Sequence, residues 1–146
     1  MTTSQQRLTG CITVPLPPGD AFRLFTPRGE QYWAHGWQPR FPALIVDDIE
    51  PGTVFETAAH GQHTTWVVTG REPGRRISYA RVTPGEQAGT VTITLTPAGD
   101  HSEVEVCYQL TALTPAGGHR VGEFADRYPA YLQSWQDAIA ASLRAS

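Results

Sequence analysis

The chain has 146 residues, a formal net charge of −3, 40% hydrophobic residues and 17% charged residues. That length suits one domain, 1–146, and the balance is that of an ordinary water-soluble chain, without the basic footprint that a nucleic acid or an anionic membrane requires. All 11 basic residues are arginine, which excludes lysine Schiff-base and P-loop chemistry.

The N-terminal MTTSQQRLTG is polar and lacks an apolar signal core, and no apolar run approaches the roughly 18 residues of a membrane span. No membrane insertion is expected, and the expected location is cytoplasmic. The first predicted strand runs from Leu8 to Leu16, with Leu8, Ile12, Val14 and Leu16 on one face and Cys11 on the other. Pro17-Pro18-Gly19 breaks it. Asp20 reads as the cap of a short helix carrying Ala21, Phe22 and Phe25. Pro27 suits the first position of a second short helix, with Glu30 in its first turn.

The stretch from Phe25 to Pro39, FTPRGEQYWAHGWQP, packs Phe25, Tyr32, Trp33 and Trp37 among Pro, Gly and charge. An aromatic helical insert at the start of a β-meander can wall off a cavity. Trp33 and Trp37 sit four apart, so a helical turn would stack them on one face, to anchor the insert or to gate a mouth. Glu30 has two readings: a helix-end charge, the simpler one, or an acid or base facing a pocket.

Beyond the insert, turn signals recur at Pro51-Gly52, Gly61-Gln62, Pro73-Gly74, Pro84-Gly85 and Pro97 to Asp100. Such spacing marks an antiparallel meander. Asp47-Asp48 falls on a strand in this reading, so the two carboxylates point to opposite faces and do not act together. The segment from Gly89 to Thr96 alternates Val91, Ile93 and Leu95 with threonines, and Glu103 to Leu110 alternates Val104, Val106, Tyr108 and Leu110 with polar residues. The last element, from about Gly118 to Ala145, carries one helical stripe of Phe124, Tyr128, Tyr131, Leu132, Trp135, Ile139 and Leu143. Pro129 interrupts it and predicts a kink. A sheet with one apolar face needs a cover, and this helix is the element large enough to provide it.

Candidate metal ligands are few. If Gly61-Gln62 were a two-residue turn, His60 and His63 would face each other, but a catalytic zinc site uses three protein ligands and no spacing nominates a third. No metal and no cofactor are expected. Neither GxSxG, GxGxxG, a Walker pattern, HExxH nor CxxC occurs, and no nucleophile stands beside a base in the sequence.

The order strand, two short helices, meander, long helix, together with FTPRGEQYWAHGWQP, GTVFET, TTWVVTG and LTAL followed by a Gly-containing turn at Gly117-Gly118, resembles the START-like (SRPBCC) superfamily. Among its members the chain is similar to polyketide-cyclase-like and uncharacterised bacterial ones. The resemblance implies an α+β helix-grip fold: a curved antiparallel sheet of about seven strands around the C-terminal helix, with a cavity between them. It also makes the strands of Cys11 and Cys107 neighbours; strand parity puts both thiols on the outer face, and in a cytosol they are expected to be reduced.

Strand parity assigns Phe55, Trp66, Val68, Ile77 and Tyr79 to concave faces, and then Arg81 also points inward, unless a register change returns it to solvent or it snorkels at the rim. The candidate ligand-binding residues are Trp33, Trp37, Phe55, Trp66, Tyr79, Arg81, Tyr108, Phe124, Tyr128 and Trp135. The first functional expectation is a binder of a small hydrophobic ligand. The alternative is an enzyme resembling aromatic polyketide cyclases, in which Arg81 and a tyrosine steer enolisation. A protein-interaction module of the same fold, and a homodimer, stay open.

Overall fold

A computed structural model describes residues 5–59 and 61–145. Six strands form one antiparallel sheet: β1 (Gln5–Val14), β2 (Val54–Ala59), β3 (Gln62–Glu72), β4 (Arg76–Thr83), β5 (Gln87–Ala98) and β6 (His101–Ala112). Their spatial order is β1-β6-β5-β4-β3-β2. Between β1 and β2 lie a short helix α1 (Pro18–Phe22) and two 3₁₀ turns, Arg23–Phe25 and Gly29–Tyr32. The 31-residue helix α2 (Pro115–Ala145) closes the chain. No helix among the described residues is long and apolar enough to cross a membrane.

The strand alternation holds along the sheet. Val91, Ile93 and Leu95 are buried on β5, as are Val104, Val106, Tyr108 and Leu110 on β6. The turns at Gly52, Gly74, Gly85 and Gly99 all place glycine at positive φ, where a side chain would be strained. The meander nevertheless has one strand fewer than expected. Residues 41–53 form no strand, and only the isolated bridge Arg40↔Glu56 continues the sheet. Pro42 and Pro51 remove ladder donors from this segment, and Pro39 removes one just before it. Asp47 and Asp48 therefore sit in a loop, not on a strand. Asp47 pairs with Arg71, which also holds Glu50 at 2.8 Å, and Asp48 accepts the Arg28 amide at 2.9 Å.

Other local expectations shift by a few residues. Asp20 is in the first turn of α1 rather than at its cap, which is Pro17. The second short helix starts at Gly29, not Pro27, because the Thr26 hydroxyl accepts the Gly29 amide at 2.9 Å. The β2–β3 hairpin closes with Ala59 opposite Gln62, so His63 faces Ala58. His60 lies outside the described residues. Helix α2 begins earlier than expected, because the Thr114 hydroxyl accepts the Gly117 amide at 3.0 Å and Pro115 suits the first turn. Gly117 and Gly118 are thus helical rather than a turn. A Cβ at Gly117 would sit 1.9 Å from the Glu86 carbonyl, so glycine there permits the helix end to press on the β4–β5 turn. Helix α2 runs through Pro129, which is exposed.

Helix α2 lies on the β1–β6 side of the sheet. The two approach closely at Gly10, where a Cβ would meet Leu132 at 2.5 Å. Gln136 accepts the Thr13 amide at 2.8 Å and so covers an edge donor of β1. Ile12, Val14, Val104, Val106, Leu132 and Ile139 fill this end. Cys11 and Cys107 are on neighbouring strands, with Cys11 opposite Glu105 and Cys107 opposite Thr9. Both are free thiols.

Candidate functional site: an aromatic cavity with unpaired polar groups

Away from that packed end, the sheet, the insert and α2 separate around a cavity of about 1120 Å³. That is the size of a site for a drug-sized molecule or larger, for which pockets run to roughly 1,000 Å³. Trp66, Tyr79, Arg81, Val91, Ile93 and Tyr108 form its sheet wall. Phe124, Tyr131 and Trp135 form the helix wall, and Glu30, Trp33 and Trp37 the insert wall. His35, His119, Glu123 and Arg127 also border it and are exposed, so they mark the mouth.

Register explains the sheet wall. Phe55 pairs with Trp66 and Trp66 with Arg81, and one row over Val68 pairs with Tyr79, Tyr79 with Val91 and Val91 with Tyr108. Cross-strand partners share a face, so both rows project to the concave side. Gly89 stands opposite Arg81 and has no side chain to cover it. A register shift between Val68 and Gly70 does not disturb this pairing.

The aromatics form a continuous lining. Phe55 stacks on Trp66 with centroids 5.7 Å apart, and Trp37 meets Trp66 edge-on at 5.5 Å. Trp33 meets Trp135 at 5.2 Å, and Phe124 meets Tyr131 at 5.0 Å. Trp33 and Trp37 do not stack on one helical face. The 3₁₀ turn ends at Trp33, and each indole N–H donates at 2.7 Å to a different carbonyl, Leu24 for Trp33 and Pro27 for Trp37. The Trp66 N–H donates to the Thr57 hydroxyl at 3.0 Å. With these N–H groups satisfied inside the protein, what the three rings offer the cavity is apolar surface.

The polar groups divide into two sets. The Tyr79 hydroxyl donates to the Phe25 carbonyl at 2.8 Å, and that of Tyr128 to the Val106 carbonyl at 2.6 Å. The Tyr108 and Tyr131 hydroxyls have no backbone partner among the described residues; they interact with each other at the cavity wall, and Tyr131 also with the Trp135 side chain. Burial raises the pKa of both phenols. Glu30 is 6% exposed and borders the cavity, and its carboxyl has no hydrogen bond or ion pair among the described residues. Burial pushes its carboxyl well above the usual carboxylate range, because desolvation disfavours the charged form. Its charge also contributes to raising Tyr79, Tyr108 and Tyr131, which places it in their electrostatic neighbourhood. Glu30 does sit in the first turn of its short helix, as expected, but its side chain makes no capping hydrogen bond there.

Arg81 is the cation inside the wall. Its guanidinium carbon lies 4.9 Å from the Trp66 ring centroid, and one terminal nitrogen reaches Gln87 at a long 3.4 Å. Its Nε is buried with no hydrogen-bond partner, and it has no ion pair among the described residues.

Of the candidates read from the sequence, Trp33, Trp37, Trp66, Tyr79, Arg81, Tyr108, Phe124 and Trp135 border the cavity. Phe55 and Tyr128 stand behind the wall, Phe55 against Trp66 and Tyr128 against Val106. Tyr131 borders the cavity but was not a candidate, although its place on the helical stripe three residues from Tyr128 was a usable signal. No group of three His, Cys, Asp or Glu side chains able to hold a metal occurs among the described residues.

Known proteins show the same architecture. DynU16, a protein of the dynemicin biosynthetic locus, superposes with TM-score 0.67 at 17% identity over 94% of this chain, which spans 47% of DynU16. A Rhodobacter sphaeroides protein superposes with TM-score 0.69 at 19% identity, covering 100% of this chain and 97% of its own. Ara h 8.0201 does so with TM-score 0.67 at 14% identity, covering 97% and 99%. At such identities the likeness shows the fold. A sequence search of curated proteins returns no match. The family described as polyketide cyclase / dehydrase and lipid transport matches residues 5–140, in agreement with the START-like, SRPBCC-type resemblance. The helix-grip chain with this aromatic cavity therefore belongs to the polyketide cyclase / dehydrase and lipid transport family.

Proposed function

We propose that this protein binds one small hydrophobic molecule in the cavity between sheet and helix. The observation that carries the reading is the cavity itself: about 1120 Å³ walled by Trp33, Trp66, Tyr108, Phe124, Tyr131 and Trp135. Ring faces supply contact area at little entropic cost, and a few polar groups fix orientation. All four tryptophans border the space, so a bound aromatic should quench their fluorescence. The expected result is saturable quenching by an aromatic probe such as 2-naphthol, at one molecule per chain. In a folded Trp66→Ala, Tyr131→Ala double variant the affinity should fall by about tenfold or more. Unchanged affinity in that variant would overturn the reading.

Glu30 favours a second reading, a cyclase- or dehydratase-like enzyme using the same cavity. A buried carboxyl with a raised pKa, near two phenols that no backbone carbonyl occupies, suits proton transfer to or from a substrate oxygen or an adjacent carbon. The biosynthetic setting of DynU16 is consistent with it. Glu30→Gln separates the two readings. An enzyme would lose turnover of a poly-ketone substrate while still binding it, and a carrier would show no turnover in either form.

A further inference from the structure

Arg81 is a cation that no anion meets among the described residues. Its register partner on β3 is Trp66 and on β5 is Gly89, so neither neighbour in its row can pair with it. Among the described residues its one hydrogen bond is the long one to Gln87, and its Nε is buried without a partner. A buried polar group left unpaired is costly, and for a charged one the cost is greater. The acid within the same cavity, Glu30, does not pair with it.

The charges around the cavity point the same way. At the mouth, Arg120 is engaged by Glu86, and His119 by Glu123 at 3.1 Å. Arg127 borders the cavity and has no ion pair among the described residues. Burial holds Glu30 towards its neutral form, which leaves the interior with positive charge in excess. This contrasts with the net charge of −3 of the whole chain. We infer that the ligand is an anion, a planar aromatic or otherwise rigid apolar body ending in a carboxylate, with its two oxygens on the Arg81 fork and its body along the rings of Trp66, Tyr108 and Trp135. A carboxylate fits better than a phosphate. Its two oxygens and single charge match one guanidinium, and the remaining inner wall is aromatic rather than rich in donors.

This inference rests on the binding reading above, and its test separates the two. The probes are 2-naphthoate and 2-naphthamide, which share one apolar body and one planar end group and differ in charge. Quenching titrations at neutral pH should show the carboxylate binding about tenfold or more tighter than the amide. In Arg81→Met that preference should vanish, with the affinity for the amide changed by no more than about twofold. Arg127→Gln should keep the preference, and raising the salt should weaken it only modestly, because a partly buried pair is poorly screened. Equal binding of both probes to the unaltered protein would overturn the anionic ligand while leaving the binding reading intact. Loss of the preference in Arg127→Gln, or its survival in Arg81→Met, would overturn the role of Arg81. If neither probe bound, both readings would fall.

Discussion

The two ends of the interior use the same materials differently. At the closed end, where α2 meets β1 and β6, the side chains are mainly aliphatic and the buried hydroxyls of Tyr128 and Ser102 find carbonyls. Tyr128 bonds to Val106, and Ser102 to Leu16 at 2.7 Å. At the open end the side chains are aromatic, and the polar groups of Glu30, Arg81, Tyr108 and Tyr131 lack backbone partners. Close packing and paired polar groups stabilise a fold. A cavity holding Glu30 and Arg81 without ion pairs among the described residues does the opposite, and its presence in an otherwise well-packed chain is why we propose a function there.

Substitutions at the two ends should therefore separate stability from binding. The largest effect should come from Ile139→Ala at the closed end, where the side chain is 1% exposed. It should cost about 2–5 kcal/mol in urea unfolding, with probe affinity of the folded protein nearly unchanged. A similar loss of affinity and stability together would blur the division.

Next come two tyrosines three residues apart on the same helix. Tyr128→Phe strands the buried Val106 carbonyl and should cost about 1–3 kcal/mol in unfolding free energy. Tyr131→Phe removes a hydroxyl bonded to the side chains of Tyr108 and Trp135 rather than to the backbone, and should cost less than Tyr128→Phe, about 1 kcal/mol or under, while changing the affinity for an oxygen-bearing probe. The opposite ranking would show that Tyr131, not Tyr128, is the structural hydroxyl.

The smallest effect is the most specific one. The folded-state pKa of Glu30 is raised, so the folded protein holds a proton that the unfolded chain releases. Its contribution is least harmful below the ordinary carboxyl pKa, and stability is lost as pH rises from there towards the folded value. Glu30→Gln removes that loss. The variant should be more stable than its parent at pH near 7, and the difference should shrink towards pH 4, as read by urea unfolding at each pH. A variant less stable than its parent at neutral pH would mean that Glu30 holds a favourable ionised interaction.

Much of this was legible in the sequence where one period governs the residues. The alternation at Val91, Ile93 and Leu95, the glycine turns and the stripe on α2 all read directly, because sheet and helix faces repeat at fixed intervals. The loop at 41–53 did not, since its apolar Leu44 and Val46 mimic strand alternation while neighbouring prolines deny it ladder donors; both side chains are fully exposed. Arg81 could be placed by parity once β4 was fixed. Glu30 could not, because a 3₁₀ turn of four residues has no period long enough to say which side faces inward. Phe55 shows the other limit: parity gives the face of a strand but not whether Trp66 stands between that face and the cavity.

The most direct test of the whole account is a ¹⁵N chemical-shift map of the protein titrated with 2-naphthoate. The indole N–H signals of Trp33, Trp37, Trp66 and Trp135 and the Arg81 Nε–H should move together and saturate, while the amides of Cys11 and Thr92 on the outer sheet face stay still. Shifts confined to the outer face or the exposed 41–53 loop, with the four indoles unmoved, would contradict it.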